Sequence, residues 1–191
     1  MNHTKELMKF YADGDYEVVD GGILIHRSAL ARGRYYHTVN GEDERVDPNL
    51  LPTEGINYIL DIALGDVIKP VGIFLALYSG AVSPTSNWTA ANFSSNASEI
   101  TSQTEGYSNA TRPAWTPAAA AAGVIGNLAT RATFNVVCTS AINVAGAALL
   151  TDGTRGGTSG KLYSATRYQS VRVINNGDSF EVGYEIELTD S

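Results

Sequence analysis

A mainly β fold is predicted: an antiparallel β-sandwich, immunoglobulin-like or jelly-roll-like, with one short helix and an N-terminal β-arm. Three features predict it. The last third of the chain alternates apolar and polar residues in short runs, "ATRATFNVVCTSAIN", "GKLYSATRY" and "VRVINNGDSFEVGYEIELT", punctuated by Gly and Asn turn signals. A single stretch carries the 3.6-residue periodicity of a helix. Strands do not alternate with long helical patterns, as βαβ units would require. With 191 residues, 43% of them apolar, the chain is long enough for one well-buried core and an appendage.

Residues 1–50 are expected to form the arm, and residues 51–191 the sandwich. In the arm, alternation in "GRYYHTV" runs into Asn40-Gly41, a hairpin signal because both central positions of a type I′ turn need positive φ. The arm is charged and modestly apolar, so it is expected to lie on the following segment or on a neighbouring subunit. Residues 53–65, "TEGINYILDIALG", predict the helix. Thr53 is placed to cap it, Glu54 suits its positive end, and Gly65 ends it. Ile56, Ile59, Leu60, Ala63 and Leu64 recur on one face. Pro48, Pro52 and Pro70 bound the element.

"VGIFLALYSG" (71–80) is a nearly continuous apolar run of strand length and predicts a core strand covered on both faces. A long excursion follows, residues 81–123, rich in Ser, Thr, Asn, Ala and Pro but carrying Trp88, Phe93, Ile100, Tyr107 and Trp115. Within it "TPAAAAAG" has the start and stop of a helical turn, although five alanines do not hold an isolated helix in water. Among the later strands Phe134, Val136 and Cys138 share a face, and Asn175–Asp178 marks a hairpin or tight turn.

A formal net charge of −7, without a cluster of Lys or Arg, argues against a nucleic-acid backbone as partner. No apolar run reaches eighteen residues, so no membrane-spanning helix is expected, and the N-terminal sequence lacks the pattern of a signal peptide. The Asn-x-Ser/Thr triplets at Asn2, Asn87, Asn92, Asn96 and Asn109 are therefore expected to carry no sugar. One cysteine allows no internal disulfide.

No catalytic, cofactor-binding or metal-binding set emerges. His3, His26 and His37 are far apart in sequence. Asp13, Asp15, Glu17 and Asp20 form an oxygen-rich run without the spacing of a calcium loop, and a solvated turn is expected. "DGTRGGTSG" (152–160) lacks the Lys-Ser/Thr ending of a phosphate-binding loop and is expected to be a flexible connection. Cys138 reads as a core thiol. Trp88, Tyr107 and Trp115 suit either a platform for a sugar ring or the pinning of a loop against the core or a neighbouring subunit, and pinning is the expectation.

Several ordered pieces carry a resemblance: "RGRYYHTVNGEDE", "NLLPTEGINYILDIAL", "VGIFLALYSGAVSPTSNWTAANF", "ASEITSQTEGYSNATRPAWTPAA", "INVAGAALLTD", "GKLYSATRY" and "VINNGDSFEVGYEIEL". Together they cover most of the chain, which resembles a group of small structural proteins of tailed bacteriophages. The resemblance implies a non-enzymatic virion component assembled in the host cytoplasm, a decoration (cement) protein on the outside of the head, with a head-to-tail or tail attachment as the nearest alternative. A carbohydrate-binding receptor module is a third. The implied partners are the major capsid protein or other virion subunits and copies of the chain itself, with no nucleic acid, membrane or cofactor. Tyr35, Tyr36, Trp88, Phe93, Tyr107 and Trp115 are the expected partner contacts.

Overall fold

The computed structural model describes residues 16–19, 22–25 and 29–190. His3, His26, Asp13, Asp15, Asp20 and Asn2, with the rest of residues 1–15, 20–21 and 26–28 of the expected arm, lie outside the described residues. The strands are β1 (Tyr16–Val19), β2 (Gly22–Ile25), β3 (Ala29–Val39), β4 (Glu42–Pro48), β5 (Phe74–Tyr78), β6 (Gly106–Tyr107), β7 (Val124–Gly126), β8 (Ala132–Val137), β9 (Ile142–Leu150), β10 (Leu162–Ile174) and β11 (Ser179–Asp190). The helices are α1 (Thr53–Leu64) and α2 (Ala90–Ala97).

Two antiparallel sheets pack face to face, as the alternating patterns predict. One runs β4-β3-β11-β8-β6, with β7 also paired to β11, and the other runs β10-β9-β5. Asn40 and Gly41 make the β3–β4 turn at φ 55° and 76°. Beyond this turn the arm expectation is corrected. β3 pairs with β11 along its whole length, from Ala29↔Asp190 to Val39↔Phe180, so the sandwich begins at β3 and not at residue 51. The strand is held there because its inward residues, Tyr35 and His37 among them, are fully buried. Tyr35 Oη also meets Ser164 Oγ of the opposite sheet at 2.6 Å, which satisfies two buried hydroxyls across the core.

The three-stranded sheet is covered on both faces. Leu75, Leu77, Val144 and Leu149 face the larger sheet, where Phe134, Val136, Phe180 and Val182 meet them. Ala76, Tyr78, Ala145, Ala148 and Leu150 face the other way, under Trp88, Ala90, Phe93 and Ala97. The molecule therefore has three layers: large sheet, small sheet and excursion. This explains why "FLALY" is apolar at consecutive positions instead of alternating.

The excursion contains a second helix that its composition had not announced. α2 starts with a capping box: Thr89 Oγ1 accepts from Asn92 N while Asn92 Oδ1 accepts from Thr89 N at 2.8 Å. Ala90, Phe93 and Ala97 form its buried stripe. By contrast, the "TPAAAAAG" stretch forms no helix; Ala121 and Val124 make a bridge around a tight turn. The Asn175–Asp178 turn links β10 to β11 and so crosses from one sheet to the other.

Candidate interaction surface

α1 packs on β10, and the contact is close because residue 55 is glycine: a Cβ there would collide with the carbonyl oxygen of Tyr163. Pro52, not Thr53, occupies the N-cap position, and no side chain caps the helix. Glu54 has a different task from the one its position suggests. Its Oε2 accepts from Ala90 N and Leu162 N, both at 2.8 Å, which ties α1 to the start of α2 and to β10. With Gly55 on the inside, Tyr58, Ile59 and Ile62 are the residues that meet the core. The expected stripe is thereby split, Ile59 turning inward and the rest of it outward. Ile56 and Leu60 are exposed, Leu64 is 86% exposed, and in the segment that follows Ile68 is 88% and Val71 fully exposed.

Beside this stripe lies an apolar groove of about 780 Å³. One wall is the inner face of the large sheet near its end, Ala31, Ile186 and Leu188, with Val124 and Ile125 of β7. The other wall is Ile59 of α1 and the segment Lys69–Phe74. Leu149, Trp115, Tyr163 and Tyr184 also line it. Leu188 remains 57% exposed, so the large sheet overhangs the small one at this end. Burial, with a smaller contribution from nearby Tyr58, pushes the Tyr163 phenol up to about 12, and burial raises Tyr184 well above the ordinary tyrosine value. Both therefore stay neutral at physiological pH, and Lys69 is the one charged residue among those lining the groove. A surface of this kind takes apolar groups of a partner: exposed apolar area that is continuous and rimmed by polar residues marks an interaction site.

Of the six residues expected to make partner contacts, Trp115 lines the groove and the other five lie elsewhere, four of them, Tyr35, Trp88, Phe93 and Tyr107, being corrected. Tyr35, Phe93, Tyr107, Trp88 and Trp115 are buried within their own chain. Trp88, Phe93 and Tyr78 pack edge to face over the outer side of the small sheet. Tyr107 meets Phe134 at right angles, 4.9 Å between centroids. Trp115 sits on the groove floor, where its Nε1 donates to Tyr184 O at 3.0 Å. Rings buried in this way pin the excursion to its own core, the expected one of the two roles for Trp88, Tyr107 and Trp115, and at Trp88 and Tyr107 no open face is left for the alternative, a sugar ring. Tyr36 alone keeps an outward position, half-buried, with its Oη donating to Glu185 at 3.2 Å.

Two further expectations change. The "DGTRGGTSG" loop is clamped: the Arg155 guanidinium donates to the carbonyl oxygens of Ser102, Tyr107 and Asn109 and lies 3.8 Å above the Tyr107 ring. Arg112 and Glu99, both fully buried, form a bidentate pair at 2.8 Å that fastens the excursion from within, and Arg112 also donates to Asp152 O.

His37 Nε2 is 2.9 Å from Asp47 Oδ2, and Asp47 Oδ1 accepts from Gln169 N at 2.7 Å. Tyr168 stacks on the imidazole at 3.9 Å. Burial lowers the imidazole pKa, opposed by the hydrogen bond to Asp47 and assisted by Arg172. This pair is sealed inside the seam between β4 and β10, so it fastens two sheets and faces no cleft. Cys138 is buried, as its pattern predicts. Among the described residues no group of three or more His, Cys, Asp and Glu is placed to hold a metal ion, and no helix is long and apolar enough to cross a membrane. Comparison with protein-family models and with curated proteins finds no match to this chain.

Proposed function

We propose that the chain is a structural subunit of a tailed-phage virion, a decoration protein that binds the outside of the head and stabilises contacts between capsomers. The observation that carries this is the outward apolar stripe of α1, Ile56, Leu60 and Leu64, continued by Val67, Ile68 and Val71. Residues of this size and exposure in a chain of net charge −7 suit burial against another protein, and they do not suit a phosphate backbone. The resemblance of the ordered pieces to phage structural proteins is what favours capsid subunits as that protein.

Cementing of this kind acts by mass action. A subunit that binds only the assembled lattice lowers the free energy of that state by its own binding free energy, repeated at every site. The rigid three-layer body supplies a preorganised surface, so little ordering entropy is lost when the stripe docks. Reconstruction of the particle tests this. Density for the chain on the outer head surface, in numbers that follow the head lattice and with α1 against the capsid, is the expected result. Its absence from the particle, or a ring of few copies at the neck or tail, overturns head decoration.

A further inference from the structure

One segment of the exposed apolar band is complementary to itself when reversed. From the last residue of α1 the chain runs Leu64-Gly65-Asp66-Val67-Ile68-Lys69-Pro70-Val71 before it enters the small sheet at Phe74. Laid antiparallel on a second copy about a centre between Val67 and Ile68, it sets Leu64 against Val71, Asp66 against Lys69 and Val67 against Ile68. Apolar side chains meet apolar ones, and acid meets base at both ends.

The segment is presented for such a contact. Every residue in it except Pro70 is exposed, and Leu64, Ile68 and Val71 are the three most exposed large apolar side chains among the described residues. Both its ends are anchored: Gly65 N and Val67 N bond back to Asp61 O at 3.0 and 3.4 Å, and just beyond it Trp115 N bonds to Ile73 O at 2.7 Å. A surface held in this way loses little freedom on docking. The segment also adjoins the groove, because Lys69 and Val71 belong to the groove wall. The same reversal therefore brings Leu64 of the second copy, with the end of its α1, to the groove mouth. A ridge and a groove side by side on one face suit a two-fold contact, in which each copy offers both.

We propose that two copies of the chain pair through residues 64–71 about a two-fold axis between Val67 and Ile68, with Leu64 of each copy at the mouth of the other's groove. Eight residues a side fall short of the roughly 20–30 a side of a standard interface, so the groove walls complete the contact and pairing depends on concentration. Ile56 lies about 12 Å back along α1 and stays outside the contact, which leaves it open to the proposed capsid partner. The pair is a property of the free chain and holds or fails independently of any role in a virion.

Charge exchange in the full-length chain tests it, since Asp66 and Lys69 are both exposed and their substitution leaves the core untouched. The wild-type chain is expected to sediment as a monomer–dimer equilibrium without larger species, because a two-fold contact closes at two copies. Asp66→Lys alone sets two cations together at each end of the segment, and Lys69→Asp alone sets two acids together. Each is expected to weaken dimerisation at least about tenfold. Mixing these two variants opposes unlike charges again and is expected to give a heterodimer, and a chain carrying both substitutions is expected to pair with itself as the wild type does. A wild-type chain that stays monomeric at all concentrations, or that forms open-ended oligomers, overturns the proposal. So do single variants that pair like the wild type, or a mixture and a double variant in which pairing is not restored.

Discussion

The two sides of the small sheet are finished in opposite ways. Its outer face is closed by the chain itself: α2, Trp88 and Phe93 cover Ala76, Tyr78 and Leu150, and the buried Arg112–Glu99 pair locks the cover in place. Its end toward β7 and α1 is left open, with an apolar groove and a helix whose Ile56, Leu60 and Leu64 face solvent. The comparison teaches that polarity of composition misleads here. The polar-looking excursion is an internal cover, and the most regular amphipathic element presents Ile56, Leu60 and Leu64 to the outside while Tyr58, Ile59 and Ile62 meet the core.

If the excursion is structural, breaking it must cost stability. Phe93→Ala is expected to destabilise the fold by about 3–5 kcal/mol, read from denaturant unfolding. Arg112→Met leaves the fully buried Glu99 without its partner and is expected to cost about as much, 3–5 kcal/mol. An effect near zero in both variants would mean that the cover is dispensable and the comparison wrong.

The seam between β4 and β10 sharpens the contrast, because it is closed by polar groups. Burial lowers the His37 pKa below its ordinary 6.5, so the unfolded chain binds the proton more readily than the fold does. Stability from this residue is fully present above about pH 6.5 and is lost as pH falls below it toward the lower folded value. Urea unfolding between pH 7.5 and 5, roughly, should show this decline, and His37→Gln should flatten it.

The smallest effect on stability is expected at the open region. Leu64→Lys or Ile68→Lys should change unfolding free energy by no more than about 0.5 kcal/mol, since both side chains are already exposed. The same variants should weaken binding to the assembled partner, measured by co-sedimentation. Stability loss comparable to Phe93→Ala would show that these residues belong to the core.

Much of the fold was legible. The apolar run at 71–80 announced a strand buried on both faces, Asn40-Gly41 announced its hairpin, and Phe134, Val136 and Cys138 announced their buried face. The helix at 53–65 was legible in extent but not in orientation, because periodicity defines a stripe and does not say which side of it meets the core. Gly55 held that information, being the residue that lets α1 approach β10. α2 was missed although its signal is present: Thr89 and Asn92 make a capping box with Asn in place of Glu or Gln, and Ala90, Phe93 and Ala97 mark the stripe. The aromatic residues were legible as anchors, but which surface they anchor to depends on the fold. The groove was not legible at all. It arises where β3 and β11 outrun the small sheet, and its lining comes from segments as far apart as Ala31, Val71, Trp115 and Leu188.

Hydrogen exchange on the chain alone and in its assembled state tests the central claim most directly, that the open end meets partners and the excursion does not. Protection gained on assembly should fall on residues 53–72 and on the groove segments, with residues 86–115 equally slow to exchange in both states. Protection gained across 86–115 with no change in 53–72 would contradict the account.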